Sequence, residues 1–172
     1  MRPRFYGEPS ATMLYLGRAA FLISGFMVFF TAAYSTYEQY RIWEASAFSQ
    51  LLLPPYQEIG YFIQYAITHF WTAPLIAAAA ALLGLVSAII LNRKFQHRFF
   101  WPAEPWLFAT ALLLTGHPGW LYYVVALCLV FFLYSIFCIL YSRTHNRASF
   151  YYLWIPVALL VILYSSVLTS RF

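Results

Sequence analysis

The chain has 172 residues, 63% of them hydrophobic and only 9% charged, against roughly 25% charged residues in a soluble domain, so it cannot clothe a water-facing surface of its own. Its net charge of +5 comes from basic residues set at the ends of apolar runs, which excludes the basic patch with interleaved aromatics that a nucleic-acid binder needs. All five acids are Glu and no Asp is present, which counts against Mg²⁺ sites and phosphoryl transfer.

Four long runs carry no charge: Ala19–Tyr37, Ile59–Asn92, Pro105–Ser142 and Ala148–Ser170. Uncharged apolar runs of about 18 residues or more are long enough to cross the hydrocarbon core of a bilayer as helices. The first span is placed at 14–37, after Arg2 and Arg4 and before Glu38. Its length, and the lack of a clean small-residue site after it, argue against a cleaved signal peptide. An outer loop over 38–70 holds Glu38, Glu44 and Glu58, and its Pro54-Pro55 pair must break any helix. Beyond the prolines, Ile59, Phe62, Ile63, Ala66, Ile67 and Phe70 share one helical face, with Glu58, Tyr61, Tyr65, Thr68 and His69 opposite. That alternation predicts a helix lying in the membrane interface.

The second span is placed at 71–91, with Pro74 in its first turn. Ala80, Gly84 and Ala88 recur every fourth residue and form a smooth helix-packing stripe. Pro105–Ser142 is too long for one span, and Gly116-His117-Pro118-Gly119 divides it. The halves are a short segment over 99–115, either a span or a re-entrant loop, and a full span over 120–142. A last span covers 151–169. Cys128 and Cys138 lie about 15 Å apart along one helix, too far to bridge, and read as packing residues.

Charge sidedness decides the ambiguous half. If 99–115 crosses, Arg2, Arg4, Arg18, Arg93, Lys94, Arg98, Arg143 and Arg147 share one side, and only Arg41 and Arg171 lie on the other. A re-entrant loop would put the basic knot at 143–147 on the opposite side. Positive-inside bias therefore favours five spans, with the N-terminus inside and the C-terminus outside. Trp71 and Trp120 then fall at outer ends, Trp101, Trp106 and Trp154 at inner ends, and Trp43 in the outer loop, the belt positions that tryptophan prefers.

The outer side is where chemistry is expected. Glu38, Glu58 and His69 are the candidate catalytic groups, and Arg41, Tyr61, Tyr65 and His117 the candidate binding groups, since a carboxyl in an apolar interface can act as acid or base. The plain alternative is a solvated face of interfacial helices. His97 and His145 lie in basic knots, no HxxxH or ExxH spacing exists, and no metal or cofactor is expected. Glu104, near the inner end of the short segment, suits snorkelling or a charge at a helix N-terminus.

The sequence Glu38-Gln39-Tyr40, then Tyr56 to Tyr65, then Phe70-Trp71-Thr72-Ala73-Pro74, resembles the start of an uncharacterised bacterial polytopic inner-membrane family known only as a domain of unknown function. The resemblance covers residues 20–92 and implies an inner-membrane location without supplying catalytic residues. A looser architectural resemblance is to membrane glycosyltransferases that use lipid-linked sugar donors, in which an acid follows the first span; Glu38 would take that place. The expected fold is therefore an all-α integral membrane bundle of about five transmembrane helices. Its expected role is a non-enzymatic subunit or assembly module, with the lipid bilayer and a protein partner or second copy as neighbours and no nucleic acid. The alternatives are a fragment or short relative of a lipid-linked glycosyltransferase and, third, a haem-binding electron-transfer subunit.

Overall fold

A computed structural model describes residues 11–96, 100–141 and 153–169, and among the described residues there are only helices and turns. His97, His145, Arg98, Arg143 and Arg147, as well as Arg2, Arg4 and Arg171, lie outside them.

The first helix, α1, covers Ala11–Ala45. Its 35 residues give a rod of about 52 Å, longer than the hydrocarbon core. The expected end at Tyr37 is passed because nothing there stops a helix: no Gly or Pro lies between Gly25 and Pro54. Arg41 and Glu44 form an ion pair at 3.9 Å, one turn apart on the helix surface. The chain then makes a short 3₁₀ turn, Ser49–Leu52, and passes Pro54-Pro55.

From Ile59 to Lys94 the helical path does not break. It comprises α2 (Ile59–Ala66), a π turn (Ile67–Trp71) and α3 (Thr72–Lys94). The helix expected to lie separately in the interface is thus the leading part of the second long helix. The reason is local. Pro74 offers no N–H to the Phe70 carbonyl and would crowd it in a regular α-turn. The helix widens immediately before that point, and the Thr72 N–H and hydroxyl both reach back to the Ile67 carbonyl, the hydroxyl at 2.9 Å.

The hub of the molecule is α4 (Glu104–Thr115), whose contacts are most extensive with α3, then α1, then α6. Glu104, Pro105, and every residue from Ala109 to Leu113 are buried in it. Small residues let the neighbours approach. On α3, Ala77, Ala81 and Ala88 are buried, and a Cβ on Gly84 would fall 2.6 Å from Leu112 Cδ1. On α1, Gly17 faces Ala103 and Trp106, and Gly25 faces Leu113. These pairings make α1 run parallel to α4. Gly84 against Leu112 and Asn92 against Phe100 make α3 antiparallel to it.

Twelve residues make α4 about 18 Å long, shorter than the 99–115 span expected and shorter than a bilayer core of about 30 Å. Its burial by neighbouring helices is what a short segment at membrane depth requires. Gly116, at φ +65°, ends it, a left-handed conformation that glycine adopts without cost. The last two helices, α5 (Gly119–Tyr141) and α6 (Trp154–Thr169), close the bundle. Within them, Tyr123, Leu127, Trp154, Val157 and Ala158 join the core with Ala111, Leu112 and Leu113 of α4.

Among the described residues, three stretches are long and apolar enough to cross a membrane: Thr12–Ala45, Ile59–Lys94 and Gly119–Phe137. Their outward faces carry Leu22, Phe26, Leu83, Ile90, Phe132 and Leu133, each more than half exposed, an arrangement that water would not tolerate and lipid favours. The chain is an integral membrane protein with an all-α helical bundle.

Candidate functional site

At the end of the bundle away from Arg18 and Lys94, a second small core forms from Trp43, Leu53, Phe62 and Ala66, with Tyr40, Tyr65 and Phe70 packed around it. Helical spacing builds it. Tyr40 and Trp43 come one turn apart from α1, and Phe62 and Ala66 from one face of α2; Tyr65, expected on the opposite face, is one turn from Phe62 and packs beside it. The Trp43 ring lies 5.3 Å from Phe62, 4.8 Å from Tyr65 and 6.3 Å from Tyr61. Offset and edge-to-face ring pairs of this kind contribute about 0.5–1.5 kcal/mol each beyond burial.

The expected polar groups are distributed around this aromatic core rather than gathered in it. Glu38 is exposed on α1, one turn beyond Tyr34. Arg41 donates to the Tyr37 hydroxyl at 3.2 Å and pairs loosely with Glu44. Glu58 is the N-cap residue of α2 without a side-chain cap bond. His69 lies on the π turn, its ring stacked 4.1 Å from Tyr65 and its Nδ1 donating to the Tyr65 carbonyl at 3.0 Å. His117 sits in the α4–α5 turn and accepts from Trp120 Nε1 at 3.3 Å. Among the described residues, no hydrogen bond, ion pair or ring contact joins His117 to Glu38, Glu58 or His69, and no three His, Cys, Asp or Glu side chains converge.

Between α1 and the π turn lies an open cleft of about 330 Å³. Val28, Thr31, Ala32 and Ser35 line its α1 wall, and His69, Phe70 and Pro74 the other. One bond pins the two walls beside it: Trp71 Nε1 donates to Thr36 Oγ1 at 3.0 Å, and Thr36 in turn donates to the Ala32 carbonyl at 2.8 Å.

A second polar cluster sits at the opposite end, where α3 finishes and α4 begins. Asn92 pairs both ways with one backbone unit: its Nδ2 donates to the Phe100 carbonyl at 2.9 Å and its Oδ1 accepts the Phe100 N–H at 3.1 Å. Glu104 Oε2 accepts the Trp101 N–H at 3.0 Å, the half of a capping box in which the side chain reaches back three residues. The glutamate is only 1% exposed. Its Oε1 is buried without a hydrogen bond, and so is Trp154 Nε1, which faces the carboxyl without closing a bond to it. The Trp154 ring packs against Phe100, Phe108 and Phe131, and its carbonyl accepts from the buried Tyr123 hydroxyl at 3.1 Å. This cluster ties the end of α3 and the starts of α4 and α6 to α5.

No protein-family model, curated protein or solved structure matches the chain.

Two expectations change with these placements. Glu104 does not snorkel: Pro105 and the Trp101 N–H fix it at the buried start of α4, turned into the bundle. The signal was in the sequence as Trp101-Pro102-Ala103-Glu104-Pro105, a capping glutamate one residue before a helix-starting proline. On the Ala80, Gly84, Ala88 stripe, a Cβ at Gly84 would meet Leu112 and Phe108 of α4, and Ala88 is buried, so this part of the stripe is covered within the chain rather than open to a partner.

Proposed function

We propose that the chain is a non-enzymatic subunit or assembly module of a bacterial inner membrane, and that it meets its partner, or a second copy, through the aromatic outer segment between α1 and α2. The observation that carries this reading is the exposure of large apolar side chains there: Phe48 is 87% exposed, Tyr56 67% and Leu51 50%. These residues lie between the two apolar stretches Thr12–Ala45 and Ile59–Lys94 rather than within either, and the segment is held in place by the Trp43–Phe62 core, which includes Leu53. A rigidly presented apolar patch outside the hydrocarbon is a recurring mark of an interaction surface.

The same reading places the protein with its N-terminus inside, its C-terminus outside and five crossings, α4 being the short one. Supporting it, Arg18 lies over the Trp106 ring at 5.4 Å, and Arg93 and Lys94 close α3 at that same end of the bundle, so three of the four described basic residues gather on one side and only Arg41 lies at the other.

The test is a Phe48→Ser, Leu51→Ser double variant purified in mild detergent from its native membrane. Both side chains point away from the core, so thermal stability is expected to change little. Loss of the co-purifying partner or of the homo-oligomer at unchanged stability supports the proposal. Assembly that persists in the variant, or a wild type that is monomeric and alone, overturns it.

A further inference from the structure

The cleft between α1 and the π turn is more specific than a gap between helices. Its α1 wall repeats at positions 28, 31, 32 and 35, one helical face, and grades from apolar to polar: Val28 and Ala32, then Thr31 and Ser35. The opposite wall is formed by Pro74 and by the one wide turn among the described residues, and π turns inside α-helices occur frequently at functional sites. Here the widening brings His69 and Phe70 to the cleft while Trp71 bonds to α1 beside it.

The hydrogen-bonding capacity of the polar end is defined. Thr31, Thr36 and Thr68 all turn their hydroxyls back onto their own helix, at 2.8, 2.8 and 2.9 Å. Ser35 has no such bond among the described residues. His69 uses Nδ1–H on the Tyr65 carbonyl, and a neutral imidazole with that tautomer keeps Nε2 as an acceptor. The cleft therefore offers His69 Nε2 and Thr31 Oγ1 as acceptors and one hydroxyl still free to donate, that of Ser35, among apolar side chains. Its volume of about 330 Å³ falls at the lower end of the range of small-molecule sites, about 300–1,000 Å³.

Both walls of the cleft belong to stretches long and apolar enough to cross the membrane, Thr12–Ala45 and Ile59–Lys94, so the molecules at hand to fill it are those of the bilayer. We propose that it binds a membrane amphiphile with a hydroxyl-bearing head and no charge on that head. The chain lies against Val28, Ala32, Phe70 and Pro74, and the hydroxyl donates to His69 Nε2 and meets Ser35 Oγ. An anionic head is disfavoured because Arg41 is turned to Tyr37 and Glu44 and no cation lines the cleft. This inference does not depend on the assembly role proposed above.

The experiment uses the full chain reconstituted in phosphatidylcholine vesicles, with a trace of diacylglycerol carrying a diazirine in one acyl chain. After irradiation, labelled residues are mapped by mass spectrometry. Label is expected to concentrate on 28–35 and 67–74, over the exposed Leu129, Phe132 and Leu133 on one face of α5. Ser35→Ala and His69→Phe should each lower labelling of the cleft about fivefold, the equivalent of one net hydrogen bond, and leave the α5 label unchanged as the internal measure of folding. The same probe acetylated at its hydroxyl should label the cleft as weakly as the variants do. Labelling spread over all lipid-facing helices, or cleft labelling equal for the acetylated probe or for both variants, overturns the proposal.

Discussion

Gly84 is the point at which the fold is easiest to test. A methyl group there would stand 2.6 Å from Leu112 Cδ1 and 3.1 Å from Phe108 Cε1. Leu112 is 2% exposed and cannot swing into lipid to make room. Overpacking of this kind costs about 1–3 kcal/mol, while replacing glycine in a helix interior by alanine returns about 1 kcal/mol. Gly84→Ala should therefore destabilise by roughly 1 kcal/mol net. Leu112→Ala alone should cost about 2–5 kcal/mol through the cavity it opens. In that background the 2.6 Å clash is gone and only the milder 3.1 Å approach of Phe108 remains, so adding Gly84→Ala should become close to neutral, a coupling of about 1 kcal/mol. Gly60 supplies the control, since a Cβ there meets nothing within 4 Å; Gly60→Ala should stabilise by up to about 1 kcal/mol. Reversible unfolding by SDS in mixed micelles, followed by circular dichroism, measures all four variants. If Gly84→Ala stabilises as Gly60→Ala does, with or without Leu112, then α4 does not lie where it is described and the reasoning fails.

Two further outcomes concern the cluster where α3 ends and α4 begins, and use the same unfolding assay. Asn92→Leu leaves both the N–H and the carbonyl of Phe100 without their side-chain partner and should cost about 2–3 kcal/mol; a change below about 0.5 kcal/mol would mean that backbone is already served by water. Glu104→Gln keeps the shape and an acceptor for the Trp101 N–H and should be tolerated to within about 1 kcal/mol, whereas Glu104→Leu removes the cap and should cost about 1–3 kcal/mol. Equal stability of the two variants would show that the Trp101 bond does not matter.

Much of this architecture is legible in the residue order. The charge-free runs mark the long helices, and Gly116 to Gly119 marks the turn between α4 and α5 because glycine takes the positive φ there. Helix ends were harder to read. Glu38, Arg41 and Glu44 look like the start of a loop, yet charged residues one turn apart sit comfortably on a helix that has left the hydrocarbon, and only the absence of Gly and Pro up to Pro54 hints that α1 continues. Pro74 reads as a helix start, since sequence gives no sign that a π turn upstream can absorb it. The Ala80, Gly84, Ala88 stripe announces close packing without saying against what, because a partner helix and α4 would select the same small residues. For the candidate site, the aromatic character of the outer segment was visible; the cleft was not, because it depends on how the π turn sets His69 and Phe70 opposite Ser35.

The most direct test of the account is the side of the membrane on which the chain ends. Five crossings with α4 as the short one put Phe172 opposite the side that holds Arg18, Arg93 and Lys94. Alkaline phosphatase fused after Phe172 should be active in bacterial cells and a green fluorescent protein fused at the same point dark. A bright fluorescent fusion with an inactive phosphatase would mean that α4 does not cross, and would contradict the topology on which the outer surface and its cleft depend.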